Sequence, residues 1–152
     1  MANLVERKQG NAELAIHSGG ILTLDDGSSA LTVQRTKYAS VARTDVAAKD
    51  LFVLPAGAIP VAVSVYSPTA SNAGTTATLS VGLKGGTGTE WLNGLDVKTA
   101  GTGAGQTRPA VVAGVLFTSV GASNITLTGI YAETGAASNA GGPWTVAVDY
   151  VL

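Results

Sequence analysis

Apolar and polar residues alternate position by position through Ile59–Tyr66 (IPVAVSVY), Thr75–Leu83 (TTATLSVGL) and Trp144–Leu152 (WTVAVDYVL). A period of two sends successive side chains to opposite faces, so each run reads as a strand with one face in a core. No segment sustains the 3.6-residue apolar period of an amphipathic helix. Further strands are expected at Lys37–Ala42, Leu51–Leu54, Ala110–Phe117 and Ile125–Tyr131. Ile21–Leu24 and Ala30–Gln34 flank Asp25-Asp26-Gly27-Ser28-Ser29, a hairpin connection rich in turn residues. Pro55 and Gly57 stop the Leu51–Leu54 run, and Gly85–Pro109, with seven glycines, is expected to be an excursion at one end of the fold. Eight or nine strands without a helix suit two packed sheets: an all-β, two-sheet β-sandwich over residues 21–152. Residues 2–20 contain Gly10, lack a period and end at Gly19-Gly20; they are expected to form an extended N-terminal arm, ordered when a partner holds it.

The polar faces of these strands carry few charges. Asp, Glu, Lys and Arg make up 12% of the chain, against about 25% in ordinary globular domains. Mean hydropathy is nevertheless positive, +0.30, with 5% aromatics, so Ala, Gly, Thr, Ser and Val fill the difference. Hydroxyls and methyls cost far less to desolvate than ammonium or carboxylate groups, which suits a surface meant to be covered by neighbours. Twelve of the nineteen charged residues lie in the first 50 positions, leaving a weakly charged body.

Several classes of function are disfavoured. A net charge of -1 with scattered Lys and Arg argues against nucleic acid as a partner. No window approaches the ~20 apolar residues of a membrane span, and charges at Glu6, Arg7 and Lys8 sit where a signal peptide needs apolar residues. The expectation is a soluble protein made in the cytoplasm. With no cysteine there are no disulfides, thiolate metal sites or cysteine nucleophiles. The single histidine, His17, falls in the arm and not in a framework that would hold a triad. Asp25-Asp26-Gly27-Ser28-Ser29 offers oxygen ligands for calcium, but lacks the EF-hand spacing and is fully explained as a turn. Glu90 and Asp96 flank Trp91-Leu92-Asn93-Gly94-Leu95 without a visible acid–base partner. Gly82-Leu83-Lys84-Gly85-Gly86 and Gly101–Gly105 lack the strand-to-helix context of phosphate loops. The chain is thus expected to be neither an enzyme nor a cofactor carrier.

One motif recurs. Ala70-Ser71-Asn72-Ala73-Gly74 returns as Ala137-Ser138-Asn139-Ala140-Gly141, each copy after a strand with a tyrosine (Tyr66, Tyr131) and before another strand. Ordinary turn chemistry accounts for it; so do two equivalent hairpins in facing sheets. Trp144 opens an alternating strand and is expected in the core, whereas Trp91 in its glycine-rich loop suits either packing or an exposed role, anchoring an interface or stacking on a sugar.

Leu51–Pro60 (LFVLPAGAIP), VAVSVYSPTASNAGTTATLSVGL and ITLTGIYAETGAASNAGGPWTVAVDYV together resemble the decoration, or cement, proteins on the heads of tailed bacteriophages. The resemblance covers residues 50–152 and implies a jelly-roll-like β-sandwich, bound in many copies to the outer capsid surface. Its partners would then be the major capsid protein and copies of itself, as dimers or trimers. Candidate contacts are Leu4, Val5, Arg7, Lys8, Leu14 and Ile16 in the arm, with Asn72, Trp91 and Asn139 in loops. The alternative expectation is a carbohydrate- or receptor-binding module of a phage tail or fibre, using Trp91.

Overall fold

The computed structural model describes residues 33–67, 69–98 and 109–152, together with three short strands at Glu6–Arg7, Leu14–Ala15 and Gly105–Thr107. The chain divides into two units, Met1–Val33 and Gln34–Leu152. In the first, β1 (Glu6–Arg7) pairs antiparallel with β2 (Leu14–Ala15). The expected hairpin around Asp25-Asp26, the candidate calcium turn and His17 lie outside the described residues.

The second unit contains eight strands: β3 (Arg35–Val41), β4 (Lys49–Leu54), β5 (Ile59–Ser67), β6 (Thr76–Leu83), β7 (Leu92–Asp96), β8 (Gly105–Thr107), β9 (Ile125–Thr134) and β10 (Trp144–Val151). Their antiparallel pairs are nested: β3 with β10, β4 with β9, β5 with β8 and β6 with β7. β10 also pairs β5, and β9 pairs β6, giving two four-stranded sheets in the orders β3-β10-β5-β8 and β4-β9-β6-β7. One long hairpin rolled onto itself gives this order, which defines the two-sheet jelly roll.

The alternation read from the sequence sets which faces meet. Along β10, Trp144, Val146, Val148 and Tyr150 are buried and the residues between them partly exposed. They pack with Val63 and Val65 of β5 and with Leu54, Leu79, Val81, Leu92, Leu127 and Tyr131 of the other sheet. The Tyr131 and Trp144 rings stack at 4.8 Å and 11°, so the facing sheets share a buried aromatic pair.

Three expectations need correction. Gly85–Pro109 is not an excursion, because it contributes β7 to one sheet and β8 to the other. Ala110–Phe117 forms no strand: its backbone turns at Gly114 (φ 85°) and again at Phe117 (φ 60°), values incompatible with an extended chain. Nor do the two Ala-Ser-Asn-Ala-Gly segments close hairpins. β5 and β6 belong to opposite sheets, as do β9 and β10, so each segment is a crossover between sheets.

Candidate interaction surfaces

The two crossovers lie at the same end of the sandwich and bind one another. Asn72 Nδ2 donates to Asn139 Oδ1 (2.6 Å), while Asn72 Oδ1 accepts from the amides of Asn139 and Ala140, both at 3.0 Å. Backbone bonds run from Asn72 N to Ala140 O (3.3 Å) and from Gly74 N to Ala136 O (2.7 Å). Beneath them, the Tyr131 hydroxyl donates to Glu133 Oε2 (2.6 Å). A phenol has one proton, so it accepts from Ser71 Oγ at 2.7 Å, and Ser138 Oγ, the matching serine of the other repeat, stands 3.3 Å away. Hydrogen bonds to Glu133 from the Ser138 side chain, the Tyr131 hydroxyl and the Ser138 amide, the first foremost, hold its carboxyl below the usual pKa. Arg43 Nη1 ties the β3–β4 loop to the same place through Ser138 O (2.8 Å).

The repeat glycines are dictated by this docking. A Cβ on Gly74 would strike the backbone N of Ala136, and one on Gly141 would stand 2.7 Å from Ser71 Cα. Each glycine lets its own crossover approach the backbone of the other.

The outer sheet faces carry mostly hydroxyls, with a few charges such as Asp149 on one sheet and the Lys84–Asp50 ion pair on the other. On the β3-β10-β5 face, Ser40 and Thr145 share a hydrogen bond (2.9 Å), and Thr36 donates to Asp149 (2.5 Å). Tyr38, 73% exposed, and Tyr66, 51% exposed, lie on this same face: Tyr38 is registered with Ala147, and Tyr66 with Thr145. On the opposite sheet Thr76 and Thr134 pair across strands (2.7 Å), and Ser80 Oγ accepts from Gly94 N (3.0 Å). Such pairs satisfy the polar groups within the chain and leave little charge to desolvate on contact.

At the end opposite the crossovers, residues 55–58 and 109–124 contain no charged residue. They are laced together by Gly57 N to Gly121 O (2.8 Å), Val120 N to Ala58 O (2.8 Å) and Phe117 N to Pro60 O (2.8 Å). Phe117 projects from this scaffold 74% exposed. Beside it opens a cavity of about 270 Å³, lined by Leu83, Glu90, Trp91, Val115, Val120 and Ile125 among others.

Glu90 is committed to structure. Its carboxylate accepts from Leu83 N (2.9 Å), Gly88 N (3.1 Å), Thr87 N and Thr87 Oγ1 (3.0 Å), closing the β6–β7 turn. These donors, the Leu83 amide foremost, pull its pKa down from 4.5 to about 2. Among the described residues, no group of three His, Cys, Asp or Glu converges as metal ligands would.

Of the candidate contacts, Asn72 and Asn139 are exposed but spend their amides on each other. Trp91 is 5% exposed and belongs to the core cluster, so it is not an exposed anchor or a sugar platform. Its amide continues the ladder to Val81 O (3.0 Å). Arg7 and Leu14 fall in the β1–β2 ladder; Leu4, Val5, Lys8 and Ile16 lie outside the described residues. Sequence reading missed Phe117, whose signal is the charge-free run around it.

An eight-stranded jelly roll with hydroxyl-rich faces is a packing architecture shared with viral capsid and lectin domains. No family model matches the chain, and no curated protein does so either. Two solved structures do. One chain belongs to the acidic stable capsid structure of Helicobacter pylori bacteriophage KHP30, with 21% identity, a TM-score of 0.57, and coverage of 79% of this chain and 88% of that one. The other is in the capsid asymmetric unit of cyanophage Pam1, with 26% identity, a TM-score of 0.56, and coverage of 95% of this chain and 94% of that one. At 21% the first speaks for a shared fold alone; the second is similar along nearly the whole of both chains.

Proposed function

We propose that this chain is a non-catalytic structural protein of a phage virion, bound in many copies to the outer capsid surface, where it bridges neighbouring shell subunits. The observation that carries the reading is the end-to-end similarity to a chain of the Pam1 capsid asymmetric unit. The weakly charged, self-satisfied sheet faces support it, because such faces pack against a shell with little desolvation cost. Bridging works by multivalency: a copy touching two or three subunits makes their separation break an additional contact. A stable contact of this kind buries roughly 1,600 Å² in total.

The test is the copy number of this chain in purified particles relative to the major shell protein. A ratio near that of the shell protein supports lattice-wide decoration. A ratio far below it moves the chain to a tail or fibre and favours a receptor- or glycan-binding role. That second reading loses Trp91 and passes to the exposed pair Tyr38 and Tyr66, whose double alanine variant would then lose glycan binding.

A further inference from the structure

We infer that copies of this chain contact one another by inserting Phe117 of one molecule into the apolar cavity beside Phe117 of the next. The inference goes beyond attachment to a shell and holds whichever surface carries the protein. Phe117 is 74% exposed at φ 60°. It is held there by its bond to Pro60 O and by the neighbouring Val120 N to Ala58 O bond. The backbone that carries the ring is thus fixed before binding, so docking has only the side chain to order, as at an interface anchor.

The cavity is lined mainly by apolar side chains, Leu83, Trp91, Val115, Val120 and Ile125 among them, together with Glu90, Thr118 and Ser119; Phe117 is not among its lining residues. It is an open depression of about 270 Å³, roomier than the ~150 Å³ apolar cavity that accommodates benzene, so it has space for a phenyl ring. Charge matches as well. Residues 55–58 and 109–124 bear none, and Glu90, the ionised residue at the cavity, has its oxygens occupied by the β6–β7 turn. Two such surfaces meet without repulsion and without stripping water from a free charge.

Area sets the strength. One phenylalanine brings about 150–250 Å², far short of the roughly 1,200–2,000 Å² of a stable complex. The contact is therefore weak in dilute solution and strengthened where copies are held side by side. Each molecule carries one ring and one cavity side by side, so contacts close as a two-fold pair that exchanges rings or as a larger ring, or continue along an array.

Sedimentation of the full-length protein up to about 1 mM tests this. Wild type is expected to associate with rising concentration, and Phe117→Ala to weaken association by about tenfold or more. Ala113→Phe, which fills the cavity mouth from its own rim, is expected to do the same. Mixed together, the two variants are expected to form one-to-one pairs, since one keeps the cavity and the other keeps the ring. Circular dichroism melts establish that both variants are folded. Wild type remaining monomeric throughout, Phe117→Ala associating like wild type, or failure of the mixture to pair each overturns the inference. If wild type stays monomeric while Phe117→Ala loses occupancy on particles, Phe117 is a shell anchor and self-pairing is rejected.

Discussion

Asn72 and Asn139 occupy equal places in the two repeats but do unequal work. Asn72 makes three side-chain hydrogen bonds to the other crossover, two of them to backbone amides, whereas Asn139 contributes one side-chain acceptor. Removing a partner leaves amide donors to find water or go unpaired, at about 1–3 kcal/mol where they are shielded. Asn72→Ala is therefore expected to lower unfolding stability by about 1–2 kcal/mol, and Asn139→Ala by roughly half as much, read from urea midpoints. Glu90 gives a prediction in pH. Its folded pKa of about 2 lies below the ordinary 4.5. The stabilisation from its ionised form is complete above the unfolded pKa and is lost as pH falls through the folded one. The stability difference between wild type and Glu90→Gln should thus be largest at neutral pH and shrink between about pH 4.5 and pH 2. A difference that stays constant across that window would refute the assignment. Asp45, held low by the Ala42 amide and Lys49, and Glu133 act in the same direction, so the subtraction is needed to isolate Glu90.

At the level of elements, the two crossovers hold the sandwich shut at one end. They join β5 to β6 and β9 to β10, each spanning both sheets, and their mutual contacts fix how those sheets meet. Gly74→Ala tests this docking. Its Cβ would meet Ala136 backbone, which cannot rotate away as a side-chain tip can. The crossovers must separate, and overpacking of this kind costs about 1–3 kcal/mol. The expected result is a lower melting temperature, with the crossover amides of Asn139 and Ala140 exchanging faster with solvent. The same substitution at Gly57, where a Cβ meets nothing within 4 Å but φ is 80°, strains the backbone at the other end of the fold and also lowers the melting temperature, so only the exchange of the crossover amides, unaltered there, separates the two variants.

At the scale of the molecule, the jelly roll of residues 34–152 is closed by its own nested pairs, with its core assembled from both sheets. Deleting residues 2–20 removes β1 and β2 and is accordingly expected to leave the sandwich folded, with its cooperative melt retained, and to weaken occupancy on capsids. Were the arm to add a strand to a neighbour's sheet edge, main-chain hydrogen bonds would supply that affinity. Unchanged occupancy of the deletion variant would remove the arm from the mechanism.

Strand identity was written locally. The alternating runs at Ile59–Tyr66 and Thr75–Leu83 became β5 and β6, and Trp144 entered the core because its strand begins on the buried phase. Period two depends on neighbours in sequence, so it can be read without knowing the partner strand. The glycine-rich 85–109 segment hid β7 and β8 because short edge strands carry too few residues to show a period. Partner choice was not legible either. Whether Ala-Ser-Asn-Ala-Gly turns back within a sheet or crosses to the other depends on strands 60 or more residues away, as the Ser71–Tyr131 bond shows. Trp91 and Phe117 make the same point in opposite senses: one aromatic in a glycine-rich stretch lies in the core, its amide on the Val81 ladder, and another is held outside by a loop pinned to Pro60. The sequence by itself determined the strand phases, the weakly charged body and the absence of cysteine chemistry. The tertiary structure alone decided which strands pair, which aromatic stays exposed and how the two repeats meet, because those outcomes rest on long-range contacts that no local pattern encodes.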